Sequence, residues 1–184
     1  CGQLGTLKDA AGHSWRVTPI SKYRTDYLIL PNRCTGSSGS GGSSCGVRSG
    51  RNLLFDLGCG EYGSGNVDVT KLGTGGRDPS IPLFIAMFER NCISFDAIWG
   101  WEARQFEPRK WWMHVPQRVR ERLTFINEPV NLTSASALGV LQTKARPEDY
   151  VVLKIDIDAP ELEQAIVSRI LETPELARLI DELF

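Results

Sequence analysis

The sequence predicts an α/β protein in which a mainly parallel β-sheet lies between two layers of helices. Continuous apolar runs such as Leu53-Leu54-Phe55-Asp56-Leu57 are typical of strands buried on both faces of a parallel sheet. Segments of helix length separate these runs, and strands joined in this way form βαβ units with right-handed crossovers. Glycines and acidic residues follow several of the runs, at the sheet edge where α/β proteins bind ligands.

Four strands and three helices are predicted in chain order. The strands are expected at residues 53–57, 95–101, 123–126 and 150–157, and Leu183-Phe184 is a candidate start of a fifth. The helices are expected at residues 81–92, 134–144 and 160–171. The last helix has the strongest signal, because a proline suits its first turn, two glutamates complement its dipole and an apolar stripe follows.

Glycine and serine divide the chain. Ten of the eleven residues in 36–46 are Gly or Ser, a composition that buries too little apolar surface to order itself. We therefore predict an N-terminal extension at 1–35, a Gly/Ser-rich linker at 36–50 and one domain at 51–184. The sequence begins without Met and ends on an apolar pair, so we expect it to be a piece of a longer polypeptide.

Composition argues against two classes of partner. Lys and Arg number 21 against 22 Asp and Glu, and a net charge of -1 does not suit a protein whose main partner is a nucleic-acid backbone. The basic residues between 104 and 122 are interpreted as a solvated helix face. No apolar run approaches the roughly 20 residues of a membrane span.

Two smaller features leave alternatives open. Cys34 and Cys45 lie on either side of the flexible Gly/Ser stretch that begins the linker, either as free thiols or as a disulfide in an oxidising compartment. Four tryptophans fall within residues 99–112; Trp99 and Trp111 are assigned to the core, whereas Trp101 and Trp112 are the better candidates for stacking on a sugar or base.

Polar and acidic residues follow each predicted strand. A carboxylate after the second strand can accept two hydrogen bonds from a ribose diol, which is the chemistry that ribonucleoside cofactors require. The closely spaced glycines after the first strand let the backbone approach a ligand without clashes from Cβ atoms. The candidate residues, in strand order, are Asp56, Gly58, Cys59 and Gly60; Glu102; Asn127 and Glu128; and Asp156 and Asp158.

The order Asp-Leu-Gly-Cys-Gly, then Trp-Glu, then Lys-Ile-Asp-Ile-Asp resembles the S-adenosylmethionine-dependent methyltransferases of the Rossmann-like class, and most of all the FkbM-type methyltransferases. The similarity covers residues 51–184. It implies a Rossmann-like three-layer sandwich of seven strands, of which four to five are present in this chain. Tyr62 stands where that class usually has glycine, and the stretch from Gly63 to Pro79 is longer than the usual loop.

The resemblance also implies a role for each candidate residue. Asp56, Gly58, Cys59 and Gly60 would line the methionine and ribose part of S-adenosylmethionine, and Glu102 would hold the ribose hydroxyls. Asn127 or Glu128 would lie near the adenine. Asp156 and Asp158 would face the methyl donor and acceptor, where a carboxylate of raised pKa can act as general base.

These expectations give one main function and one alternative. The main function is O-methylation of a carbohydrate or small metabolite with S-adenosylmethionine as cofactor and without a metal, since the acids lack a clear third ligand. The alternative is an inactive methyltransferase-like module in a larger assembly. The sequon Asn131-Leu132-Thr133 would place the protein in the Golgi or secretory lumen if it is used.

Overall fold

The computed structural model describes residues 5–8, 14–17, 50–63, 79–90, 93–133 and 136–184. Outside the described residues lie Cys34 and Cys45, the linker up to residue 49 and most of the stretch between Gly63 and Pro79, residues 64–78. The proposed division at residues 35 and 50 therefore stays a prediction.

Seven strands and six helices lie among the described residues. The strands are β1 (Gly5–Lys8), β2 (Ser14–Val17), β3 (Asn52–Leu57), β4 (Ala97–Trp101), β5 (Leu123–Ile126), β6 (Tyr150–Ile155) and β7 (Glu182–Leu183). The helices are α1 (Ser80–Arg90), α2 (Pro108–Met113), α3 (Gln117–Arg120), α4 (Ala137–Lys144), α5 (Pro160–Glu172) and α6 (Pro174–Ala177). Strands β1 and β2 pair with each other in antiparallel fashion.

The other five strands form one sheet in the order β5-β4-β3-β6-β7, and every pairing in it is parallel. If the strands of this sheet are numbered along the chain with β3 as strand 1, their order in space is 3-2-1-4-5. The first five strands of a doubly wound Rossmann sheet have the same order. The predicted α/β class is thus confirmed, and the strand order is consistent with part of a Rossmann-like sandwich. The fifth strand suggested by Leu183 is present as β7.

Two hydrophobic clusters cover the two faces of the sheet. On one face, Leu54 and Val152 pack with buried residues of α1, α2 and α3. On the other, Phe55 and Leu153 pack with buried residues of α4, α5 and α6. Because neighbouring residues of one strand enter opposite clusters, β3 and β6 are mostly apolar, and the sequence shows the nearly continuous apolar runs from which the sheet was predicted.

One expectation about the tryptophans is wrong, and the expectation that the basic residues form a solvated face holds for most of them but not for all. Trp101, expected at the surface, is 3% exposed and stacks on Phe55, with ring centroids 6.4 Å apart. The basic stretch is only partly a solvated face, since the Arg122 guanidinium donates to the carbonyl oxygen of Phe95 (2.6 Å) and Arg120 donates to that of Val115 (2.8 Å). Both arginines fasten loops, which periodicity alone does not reveal. Trp99 and Trp111 are buried as predicted.

None of the helices in the described part of the chain combines the length and the apolar character that a membrane crossing requires.

Asp149 fastens the start of β3 to the segment before β6. Its carboxylate, in a side chain that is 2% exposed, accepts hydrogen bonds from the backbone N–H (2.8 Å) and guanidinium (2.6 Å) of Arg51 and from the backbone N–H of Arg146 (3.0 Å). Burial alone would raise the pKa of Asp149, but these donors outweigh it and hold the pKa below its usual range.

We expect Asp149→Ala to lower the free energy of unfolding by about 2 kcal/mol, because buried N–H groups lose their acceptor. Since the pKa of Asp149 is lower in the folded state, its contribution is present above the unfolded value of 3.8 and is lost as the pH falls below it. Urea unfolding of wild type and variant should show a constant difference near neutral pH that shrinks in acid. A difference unchanged down to about pH 2 would contradict this assignment.

Candidate functional site

A cleft of about 680 Å³ opens at the carboxyl ends of the central strands. Its walls come from the segments that follow β3, β4, β5 and β6. From the central strand β3, the chain first adds β4 and then β5 on one side of the sheet, and it later adds β6 and then β7 on the other side. The connection that leaves β3 and the connection that leaves β6 therefore run in opposite directions. Such a switch point leaves a crevice between the diverging loops, which is where open α/β sheets bind their ligands.

The glycine turn after β3, residues 58–60, forms the floor of the cleft. The backbone N–H groups of Gly58 and Cys59 both donate to the carbonyl oxygen of Trp101, at 2.9 Å each, which ties β3 to β4. Gly58 has φ +82°, and a Cβ atom there would lie 1.8 Å from the backbone oxygen of Asp156. Gly60 has φ +65°, but a Cβ atom there would meet no atom within 4 Å. Gly58 is therefore required by the fold, whereas Gly60 leaves open space in the cleft.

This contrast gives a prediction about two alanine substitutions. Gly60→Ala should lower the free energy of unfolding by about 1–2 kcal/mol, the cost of a left-handed backbone for an L-residue. Gly58→Ala should cost more than about 3 kcal/mol, since the backbone at Asp156, directly after β6, would also have to move. Urea unfolding of both variants measures the difference, and equal losses would contradict the assigned roles.

Glu102 follows β4 and links that strand to the glycine turn. Its backbone N–H donates to Ile126 of β5 (3.1 Å), and its carboxylate oxygens accept hydrogen bonds from the backbone N–H groups of Gly60 (2.9 Å) and Arg104 (2.8 Å). Glu102 lines the cleft together with Gly60. A carboxylate has about four acceptor positions, so two remain for a ligand.

Asn127 and Glu128 are near the cleft but do not line it; Pro129 and Val130 do. The Asn127 amide donates to the carbonyl oxygens of Glu102 (2.8 Å) and Arg104 (2.7 Å), and its side-chain oxygen accepts from the backbone N–H of Phe106 (2.8 Å). Asn127 therefore holds the loop after β4 in shape. Glu128 is exposed outside the lining.

Asp56 and Cys59 lie beneath the cleft and not in its walls. Asp56 is 0% exposed; one carboxylate oxygen accepts a hydrogen bond from the Ser80 hydroxyl at the start of α1, and the other is 3.1 Å from the Lys154 ammonium. Burial raises the pKa of Asp56, and the charge of Lys154 opposes this shift. Cys59 is 2% exposed, and burial raises the pKa of its thiol, so it stays protonated.

Lys154 is a buried residue of β6 that the sequence analysis did not select. Its ammonium contacts Asp56, the carbonyl oxygen of Gly58 (3.2 Å) and the carboxylate of Asp156 (3.6 Å). Burial alone would lower the pKa of Lys154, but the charges of Asp56 and Asp156 outweigh it and keep the ammonium protonated. Asp56 and Lys154 are register partners in β3 and β6. Lys154 could have been found from the sequence, because Asp56 and Lys154 are two opposite charges in two mostly apolar strands.

Asp156 and Asp158 both line the cleft, where the segment after β6 passes over the sheet edge. The Asp156 side chain is 70% exposed. Asp158 has φ +54° and precedes Ala159, the N-cap residue of α5. The Glu163 carboxylate accepts a hydrogen bond from the backbone N–H of Ile157 (2.9 Å) and fixes this segment.

Among the described residues that line the cleft, acidic side chains outnumber basic ones. Glu102, Asp156 and Asp158 line it, and Arg104 is the basic residue in its lining, with its guanidinium 4.8 Å from the ring centroid of Phe106. Tyr62 does not enter the cleft; it is 6% exposed and packs edge-on against Trp111. Among the described residues, no three His, Cys, Asp or Glu side chains are arranged to hold a metal ion.

Comparison of the chain with protein-family models, with curated proteins and with solved structures gives no match.

Proposed function

We propose that this protein binds S-adenosylmethionine in the cleft and transfers its methyl group to an oxygen of a carbohydrate or small metabolite. The observation that carries the proposal is the position of Glu102. Its carboxylate lies at the end of β4, in the lining of the cleft and beside Gly60. There the two free acceptor positions suit the vicinal hydroxyls of a ribose.

The charge of the cleft favours this cofactor over a dinucleotide. S-adenosylmethionine carries a sulfonium cation, which suits the three carboxylates and one guanidinium among the described residues of the lining. A pyrophosphate would be repelled by the same carboxylates and needs a helix N-terminus close to the glycine turn. Helix α1 begins at Ser80, whose hydroxyl donates to the carbonyl oxygen of Cys59 in the glycine turn (3.2 Å), but it begins twenty residues after Gly60 and not within the glycine motif, as a dinucleotide fingerprint requires. The sequence Gly58-x-Gly60-x-x-Gly63 is therefore not interpreted as a dinucleotide fingerprint.

The residues of the cleft can assist methyl transfer mainly by positioning. When bound, S-adenosylmethionine supplies an electrophilic methyl group, and the chain has to orient an acceptor hydroxyl in line with it and exclude water. Ile157, Ala159 and Leu162 give the cleft an apolar wall beside the two exposed carboxylates. Asp156 or Asp158 would accept the proton of the acceptor hydroxyl, while the methyl group leaves the sulfur of the cofactor, which keeps the electron pair of the broken bond, and bonds to the acceptor oxygen.

One observation favours the alternative, an inactive methyltransferase-like module in a larger assembly. Both oxygens of Glu102 already accept hydrogen bonds from backbone amides, and such a network can serve loop structure alone. In that case the cleft would bind neither S-adenosylmethionine nor its demethylated product, S-adenosylhomocysteine.

Calorimetric titration separates the two functions. We expect saturable binding of S-adenosylmethionine and S-adenosylhomocysteine with one site per chain, and no binding of NAD under the same conditions. Absence of heat with both adenosyl ligands, from a protein shown to be folded by circular dichroism, would refute cofactor binding and leave the structural module. Binding of NAD alone would refute the charge argument.

A further inference from the structure

Lys154 contacts two residues of the cleft lining without being part of that lining. Its side chain is 10% exposed, and its ammonium is 3.2 Å from the carbonyl oxygen of Gly58 and 3.6 Å from the nearer carboxylate oxygen of Asp156. Gly58 opens the glycine turn after β3, and Asp156 follows β6. One ammonium therefore joins the two strand ends between which the cleft opens.

Asp56 fixes the position of this ammonium. It lies 3.1 Å from Lys154 and is 0% exposed, and its other carboxylate oxygen accepts the hydrogen bond from Ser80 of α1. The carboxylate is thus held from β3 and from α1 at once. A cation anchored in this way has little freedom, so its distances to Gly58 and Asp156 are set by the sheet.

We propose that Lys154 is a positioning residue, which holds the Gly58 carbonyl and the Asp156 carboxylate together in the geometry that the cleft needs to bind its cofactor. The inference rests on the proposed function for the identity of that cofactor. Lys154 acts through its two partners and does not itself contact the ligand. Asp156 is the partner that most needs this contact, since its side chain is 70% exposed and would otherwise sample several rotamers in water.

The test uses a double variant, because Lys154→Gln alone would leave Asp56 as an unpaired buried charge. Asp56→Asn combined with Lys154→Gln replaces the ion pair by two neutral amides that can still hydrogen-bond. In the ligand-free protein, the amides of Gly58 and Cys59, which donate to Trp101, should exchange with solvent about tenfold faster or more in this variant. The amide of Ile98 in β4 serves as the reference for global stability.

A second measurement asks whether Lys154 acts through Asp156. Asp156→Asn should weaken S-adenosylmethionine binding severalfold in the wild-type background and cause little further loss in the double variant. If Asp156→Asn raises the dissociation constant by the same factor in both backgrounds, Asp156 and Lys154 act independently, and the inference is overturned. Unchanged exchange of Gly58 and Cys59 in the double variant would overturn it as well.

The two proposals fail in different ways. If wild type binds no S-adenosylmethionine but the double variant loses protection at Gly58 and Cys59, the proposed cofactor is wrong and the positioning role of Lys154 stands. If wild type binds the cofactor and the double variant binds equally well with unchanged exchange, the proposed function stands and the role of Lys154 is wrong.

Discussion

Glu102→Gln is expected to weaken S-adenosylmethionine binding about 10- to 100-fold. The substitution removes a charged acceptor, and hydrogen bonds to charged groups contribute about 1.5–3 kcal/mol each. It also turns an NH₂ group toward one of the two amides that the carboxylate now binds, those of Gly60 and Arg104. Calorimetric titration of the purified variant measures the loss.

Glu128→Gln is the matched control, because it makes the same change of charge at an exposed position outside the cleft lining. It should bind the cofactor within about twofold of wild type, as expected for surface substitutions. Glu102→Gln binding as tightly as wild type would remove Glu102 from the site. An equal loss of affinity in both variants would show that the net charge of the protein, and not the position of Glu102, is responsible.

Lys154→Met is expected to give the largest loss of stability, about 3–5 kcal/mol. It leaves the carboxylate of Asp56 buried with only the Ser80 hydroxyl beside it, and breaking a buried ion pair by removing one partner costs about this much. The free energy of unfolding in urea, followed by circular dichroism, measures the effect.

Replacing both members of the pair separates the cost of an unpaired charge from the loss of packing. Asp56→Leu combined with Lys154→Met should recover much of the stability, since apolar replacements of a whole buried pair are often close to neutral. The double variant should nevertheless bind cofactor poorly, because Gly58 and Asp156 lose the ammonium that joins them. A single variant as stable as wild type would contradict the assignment of a buried ion pair.

The central sheet could be predicted because its signals are local. Strands β3, β4, β5 and β6 and helices α1, α4 and α5 were expected within a few residues of their observed bounds, since apolar runs and helical stripes follow directly from burial on a sheet. The short helices α2, α3 and α6 were not predicted. They contain four to six residues each, too few to show a periodic apolar stripe.

The candidate site was predicted in part. Gly58, Gly60, Glu102, Asp156 and Asp158 are brought together in the cleft, because residues that follow parallel strands reach the same edge of the sheet. Four other candidates also lie at the carboxyl ends of strands but do not line the cleft: Asp56, Cys59, Asn127 and Glu128. Which side of a strand or loop a residue faces depends on its contacts, such as those of Asp56 with Ser80 and Lys154, and a motif does not specify these.

Titration of the ¹⁵N-labelled chain with S-adenosylhomocysteine, followed by NMR, tests the location of the cofactor site most directly. The amides of Gly60, Glu102 and Asp158 should shift together and saturate at one ligand per chain, while those of Asp149 and Arg51, at the other end of β3 and β6, stay in place. A folded protein whose cleft amides do not move at saturating ligand, or whose shifts cluster at the opposite edge of the sheet, would contradict the proposed cofactor site.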